Sequence, residues 1–295
     1  MVCTLNAVTY VASCVSTERA GVTTMKMSMD ALSDSLFRRQ GSPRDRATLM
    51  DLVATISEST KLDSTLKGMG FEQSPHEAAI YRRGNGENAL LVGVYVDDLV
   101  IIGTKDAEAA AFKEEMKATF QMIDLGPLSF YLGIKVHQDD SGIMLRQTAY
   151  AKRVVELAGL TDCNPALTPM EERLKLNRDS TTEEVDATQY RCLVGSLRYL
   201  AHTRPFLAFS VGYVSRFMQR LTMEHQQVMK RIVRYVAAIL DHGLFYPRCP
   251  GAAHFVGYSD SDHAGDIDTK AQEVSWIGIA RHFSLIRNLR RENSK

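Results

Sequence analysis

Residues 90–103, LLVGVYVDDLVIIG, set two adjacent aspartates, Asp97 and Asp98, in the middle of an otherwise apolar and glycine-bearing run. No other charge occurs from Ala89 to Gly103. An ionised carboxylate buried without a partner is prohibitively costly, so the pair must be solvated at a turn, salt-bridged, or bound to a cation. Apolar runs on both sides predict two buried strands with the acids at the tip of the hairpin between them. A plain turn is one reading, since Asp is common in tight turns. The other is a divalent-metal site for phosphoryl transfer, because magnesium prefers oxygen ligands and keeps waters and substrate phosphates in its remaining positions. Two such ions would activate a primer hydroxyl and neutralise charge on the leaving pyrophosphate.

Upstream, AAIYRRGNGENALLVGVYV predicts a strand, a Gly/Asn turn and a second strand, and LDSTLKGMGF a short helix stopped at Gly68 or Gly70. The turn GNGEN is a poor phosphate loop, since a strand and not a helix follows it. Residues 1–60 show no sustained period and contain the polar cluster RRQGSPRDR, which predicts a poorly ordered leader.

Downstream, Phe112, Met116 and Phe120 recur at helical spacing, with Gly126-Pro127 closing the segment. FYLGIKVHQDDSGIMLRQ predicts strand, turn and strand, and Thr148 a helix N-cap for AYAKRVVELAGL. The Pro-, Ser-, Thr- and charge-rich residues 166–185 are expected to be a linker at a domain boundary. Three helices should follow. Tyr190, Leu193, Val194 and Leu197 share a face in the first, as do His225, Val228, Met229 and Ile232 in the third, where His225 is expected to be a packed core residue. HFVGYSDSDHAGD then reads as a strand ending in acids, and VSWIGIA as another strand before a basic tail.

The 295 residues carry 35 basic and 35 acidic side chains, so whole-chain charge identifies no partner. Its distribution is more informative. Residues 191–240 hold eight Lys and Arg against Glu224 alone. Self-repulsion in such a segment is relieved by phosphates, so Arg191, Arg198, Lys230, Arg231 and Arg234 are candidate nucleic-acid contacts, the alternative being a solvated polar face. Five cysteines without any C-x-x-C pair argue against a disulfide framework and a zinc site, and favour a reducing compartment, cytoplasmic or nuclear. No apolar run reaches the roughly 18 residues of a membrane span.

Tyr95-Val96-Asp97-Asp98 resembles the polymerase hairpin of reverse transcriptases. LLVGVYVDDLVIIGT, FQMIDLGPLSFYLGIKV, YRCLVGSLRYLAHTRP, SRFMQR, KRIVRYV and GYSDSDHAGD all resemble, in order, copia-type LTR retrotransposon polyproteins, over about Lys61 to Lys270. The resemblance implies an α+β chain: a partial reverse-transcriptase palm and thumb over 61–165, a helical connection over 186–250, and a truncated ribonuclease H-like start over 251–295. It implies Asp97 as a metal ligand with Asp98 beside it, Tyr95 and Val96 beneath the primer end, and Asp260 as the first ribonuclease H carboxylate. Mg2+, or Mn2+, would be the cofactor, with an RNA/DNA template-primer duplex and deoxynucleotides as partners and no membrane.

The family's further palm aspartate and its fingers are not recognisable upstream. Asp51, in TLMDLVATI, is an upstream aspartate with apolar flanks on both sides, and it sits too close to the hairpin to leave room for them. Glu273 is too near Asp260 for the helix-borne ribonuclease H glutamate. Phe206 follows Pro205 where the family has an aspartate, and His263 takes a usual tryptophan position. Three expectations follow: a reverse-transcriptase fragment inactive alone unless another polyprotein chain completes it, a non-catalytic nucleic-acid-binding remnant, or a decayed reading frame without function.

Overall fold

The computed structural model describes residues 21–27, 60–85, 88–172, 174–177 and 182–248, and the backbone of 255–261, 274–280 and 284–286. The chain divides into two compact units, residues 1–129 with 248–253, and residues 130–247 with 254–295.

The first unit is built on a six-stranded antiparallel sheet. Its strands are β1 (Val22–Met27), β2 (Glu72–Gln73), β3 (Ile80–Arg83), β4 (Leu90–Tyr95), β5 (Asp98–Gly103) and β6 (Met122–Pro127), in the order β2-β3-β4-β5-β1-β6. Leu90 and Val92 of β4 and Leu99 and Ile101 of β5 alternate onto one face. Helix α1 (Asp106–Thr119) covers it with Ala109, Phe112 and Met116, and helical residues 60–68 add Leu62 and Leu66. Each of these side chains larger than alanine contributes about 1.5–3 kcal/mol on removal from water. Asp106 and Glu108 lie in the first turn of α1, where the helix dipole favours acids.

Two elements of this unit depart from expectation. Residues 22–27 are not a disordered leader but the strand β1, paired with β5 on one side and β6 on the other. VTTMKM is too short to show a sustained period, and its strand state comes from two flanking ladders, a non-local cause. Helix α1 stops at Phe120, and residues 122–127 form β6 instead of a loop closed by Gly126-Pro127. Pro127 at the end of an outer strand costs no ladder hydrogen bond inside the sheet.

In the second unit, β7 (Phe130–Tyr131), β8 (Ile134–Asp139), β9 (Gly142–Arg146), β10 (Gly243–Pro247) and β13 (Ser284–Ile286) make an antiparallel sheet in the order β13-β10-β9-β8-β7. Leu132 and Gly133, both at positive φ, form the two-residue turn between β7 and β8. The expected Asp-Asp-Ser-Gly turn joins β8 to β9, with Asp139 Oδ1 accepting from the Ser141 and Gly142 amides. Helices α2 (Thr148–Leu157), α3 (Ala187–Leu200), α4 (Ala208–Ser215) and α5 (Met223–Ala238) share a core that includes Val154, Leu197, Leu207, Val211, Ile232 and Val236. β11 (Phe255–Ser261) and β12 (Val274–Ala280) are the two strands expected there, and they pair with each other.

Residues 166–185 do not mark the boundary between units, which falls at Ser129/Phe130. Their described part packs along the helices: Ala166 and Leu176 are buried, the Ala166 amide donates to the Arg234 carbonyl, and the Leu176 amide donates to the Tyr213 hydroxyl. Thr148 is the first residue of α2 and not its cap. Gln147 precedes it, with its side chain turned to accept from the Thr203 hydroxyl at 2.8 Å. His225 is a core residue, stacked on Phe217 with ring centroids 4.2 Å apart and accepting at Nδ1 from the Thr222 amide.

Candidate nucleic-acid and metal site

The Asp97–Asp98 pair lies at the tip of the β4–β5 hairpin, where the apolar flanks predicted it. Tyr95 pairs with Asp98 across the ladder, leaving Val96 and Asp97 as the two-residue turn. Two-residue hairpin turns demand positive φ at their first position, and Val96 adopts φ 53° there. A β-branched residue takes that conformation only under constraint. The Val96 side chain is exposed.

Strand β1 adds a third component. Lys26 lies opposite Asp98 in the β1–β5 register, the Met27 amide donates to the Asp97 carbonyl at 2.8 Å, and Lys26 Nζ stands 3.1 Å from Asp97 Oδ2. Burial, and then the neighbouring Asp97 charge, push the Asp98 carboxyl above the usual range, while Lys26 pulls it back. The hydrogen bond to Asp97 and the charges of both acids raise the Lys26 ammonium in turn.

Residues 51–172 match the reverse transcriptase (RNA-dependent DNA polymerase) family. The chain is 34% identical over 225 residues to the Pol polyprotein of transposon RE1 of Arabidopsis thaliana, covering 76% of this chain and 15% of that one. It is 35% identical over 178 residues to an uncharacterised mitochondrial protein of the same plant, covering 60% of this chain and 73% of that one. The chain belongs to the copia-type reverse transcriptase family. A third relative, the Pol polyprotein of transposon TNT 1-94 of Nicotiana tabacum, is 32% identical over 229 residues, covering 74% of this chain and 17% of that one. This reverse-transcriptase chain thus spans about a sixth of the transposon polyproteins that it matches. No solved structure matches it.

Polymerases of this kind imply divalent metal. Among the described residues, no group of three or more His, Cys, Asp or Glu is placed to hold an ion, and one of the two hairpin acids is ion-paired to Lys26. Two metal ions would leave most of their charge uncompensated here. The described residues therefore do not fit a two-metal centre. Asp51, His263 and Glu273 lie outside the described residues. Asp260 lies on β11 opposite Ser275.

The acid-poor segment of this reverse-transcriptase chain has an internal explanation. Arg191 donates through Nε and Nη2 to the Met218 carbonyl, Arg231 to Glu171 and Thr168, and Arg234 to the Asn164 carbonyl. Arg220 pairs with Glu184, Arg216 lies over the Tyr213 ring, and Arg204 is wholly buried. Several of these acids and carbonyls come from residues 164–184, so much of the segment's hydrogen-bonding capacity is used within the fold, with Glu171 and Glu184 supplying opposite charge. Arg198 and Lys230 remain exposed.

A second basic locus was not evident in the sequence. A cleft of about 1110 Å3 in the second unit is lined by Lys135, Arg146, Lys152 and Arg153, against Asp139 and Asp241. Lys135 and Arg146 are direct cross-strand partners on β8 and β9. Like charges placed opposite each other destabilise a ladder. Only the antiparallel register brings these residues together, so no linear pattern signals them. Among the described residues, no helix is long and apolar enough to cross a membrane.

Proposed function

We propose that this chain is a reverse-transcriptase palm, thumb and connection that binds an RNA/DNA template-primer duplex and does not itself transfer nucleotides. The observation that carries it is the Tyr95–Asp98 hairpin: the family's acid pair on its sheet, with Lys26 bonded to one acid and no third carboxylate beside them among the described residues. Asp97 and Asp98 are the ancestral metal ligands, Tyr95 and Val96 the floor beneath the primer end, and Asp260 the first ribonuclease H carboxylate. Polymerisation, which needs Mg2+ or Mn2+, would require a further carboxylate beside this pair, as another polyprotein chain could supply.

Duplex contact is assigned first to the basic cleft, where the adjacent Lys135 and Arg146 lose their mutual repulsion when a phosphate lies between them. Arg198 and Lys230 are further candidate contacts as exposed cations, whereas Arg191, Arg231 and Arg234 serve mainly to cross-link the chain.

Primer extension and fluorescence anisotropy with an RNA/DNA hybrid test this reading. The expected result is no incorporation with either metal, and hybrid binding whose log affinity falls by about 3 per decade of salt if about three phosphates are contacted. Incorporation abolished by Asp97→Asn, or hybrid affinity indifferent to salt, would overturn it.

A further inference from the structure

Resting on the polymerase-derived reading of the acid pair, we infer that Lys26 is an internal cation that closes Asp97 and Asp98 to divalent metal. The lysine is held there by backbone, not by its side chain alone. β1 is an interior strand of the sheet: Lys26 is opposite Asp98 on β5 and opposite Ile123 on β6, and the following amide bonds to the Asp97 carbonyl. Met25 and Met27 are buried on either side of it, so the alternation of the strand sends the Lys26 side chain to the opposite face.

The ammonium then stands 3.1 Å from Asp97 Oδ2, within reach of the negative charge on both acids. A divalent ion has two routes to this pair. It displaces Lys26, breaking the ion pair, or it enters beside the ammonium and is repelled at short range by a like charge. Magnesium further needs near-octahedral oxygen ligands, and only two side chains here offer them among the described residues. Lys26 and metal are therefore mutually exclusive occupants, and the acids persist because a covalently supplied cation replaces the dissociable one.

Mn2+ binding to the full chain, followed by the loss of the free-ion electron paramagnetic resonance signal, decides this. Lys26→Met, which keeps the length of the side chain and removes its charge, should bind Mn2+ about tenfold tighter than wild type or better, equivalent to about 1.4 kcal/mol. Lys26→Asp, which adds a carboxylate opposite Asp98, should bind tighter still. Adding Asp97→Asn to Lys26→Met should abolish the gain. Equal Mn2+ affinity in wild type and Lys26→Met overturns the inference, as does a gain that survives Asp97→Asn. Should Lys26→Met lose its circular dichroism, Lys26→Gln is read in its place with the same two outcomes. Hybrid binding measured on the same variants keeps the two ideas apart: retained hybrid affinity with no Mn2+ gain rejects the Lys26 inference and leaves the duplex-binding reading standing.

Discussion

The Arg204 guanidinium donates to the Leu240 carbonyl at 2.7 Å from a side chain with no solvent exposure. Helix α5 ends at Ala238; the Ile239 carbonyl accepts from the His242 amide, and Arg204 satisfies the Leu240 carbonyl from the turn before Pro205. Burial pushes the guanidinium down to about 10, with Asp241 opposing. A base whose folded pKa is lowered is penalised while charged, so this penalty holds below about pH 10 and fades as pH rises from there toward the ordinary value of 12.5. Arg204→Ala should cost about 3 kcal/mol at neutral pH, from the cavity and the orphaned Leu240 carbonyl together. Arg204→Met, which fills the space without a buried charge, should cost less. Urea unfolding monitored by circular dichroism separates them, and an unchanged midpoint for Arg204→Ala would refute the capping role.

Two glycines should respond to alanine in opposite senses. Gly133 sits at φ 81° in the β7–β8 turn, and a Cβ there would collide with the Tyr199 hydroxyl, which donates to the Leu132 carbonyl. Gly195 lies in the middle of α3, with open space for 4 Å around the position that an added Cβ would take. Gly133→Ala should destabilise by about 1–3 kcal/mol from the backbone conformation alone, whereas Gly195→Ala should stabilise by about 0.5–1 kcal/mol. Thermal unfolding of both variants reads the two signs in one experiment.

Charge on the helices and charge in the cleft should separate into stability and binding. Arg234 Nε bonds to the Asn164 carbonyl at 2.7 Å, so Arg234→Ala should cost about 1 kcal/mol of stability and leave hybrid affinity within about twofold. Lys152→Glu with Arg153→Glu should do the reverse, lowering hybrid affinity by about tenfold or more at moderate salt while leaving the unfolding midpoint near wild type. Anisotropy and denaturation on the same preparations check both halves. A loss of binding in Arg234→Ala matching that of the double variant would return the contact surface to α5.

The hairpin was legible in the sequence because its signal is local: two acids against strands with no other charge. The helices α3 and α5 were legible for the same kind of reason, since Leu193, Leu197, Val228 and Ile232 repeat within a few turns. What escaped depends on residues far apart. β1 is a strand only because β5 and β6 flank it, and the Lys26–Asp97 pair spans some seventy positions that no periodicity connects. Likewise the partner carbonyl of Arg234 and the partner acid of Arg231 lie sixty or more positions upstream, so a segment that reads as unsatisfied charge is satisfied in the fold. Lys135 and Arg146 became neighbours through register alone.

Asp124 on β6 offers a pH-dependent tie between the outer strand and α1. Lys113 Nζ lies 2.9 and 3.1 Å from its two carboxylate oxygens, and the Gly126 amide donates to it as well. Burial alone would raise this carboxyl, but the Lys113 hydrogen bond, the Gly126 amide and the charges of Lys113 and Lys117 outweigh it and hold it below its ordinary value. An acid with a lowered folded pKa contributes stability that is complete above its unfolded value of 3.8 and is lost as pH falls through the lower folded one. Asp124→Asn should therefore be less stable than wild type at pH 7, by about 1 kcal/mol for a charge-assisted contact this exposed. The difference should shrink as pH drops below about 4 and nearly vanish once the wild-type carboxyl is protonated. Urea midpoints of the two proteins taken across that range test the sign, and a gap that stays constant from pH 7 to the acid limit would mean that the ionised carboxylate is not what joins β6 to α1.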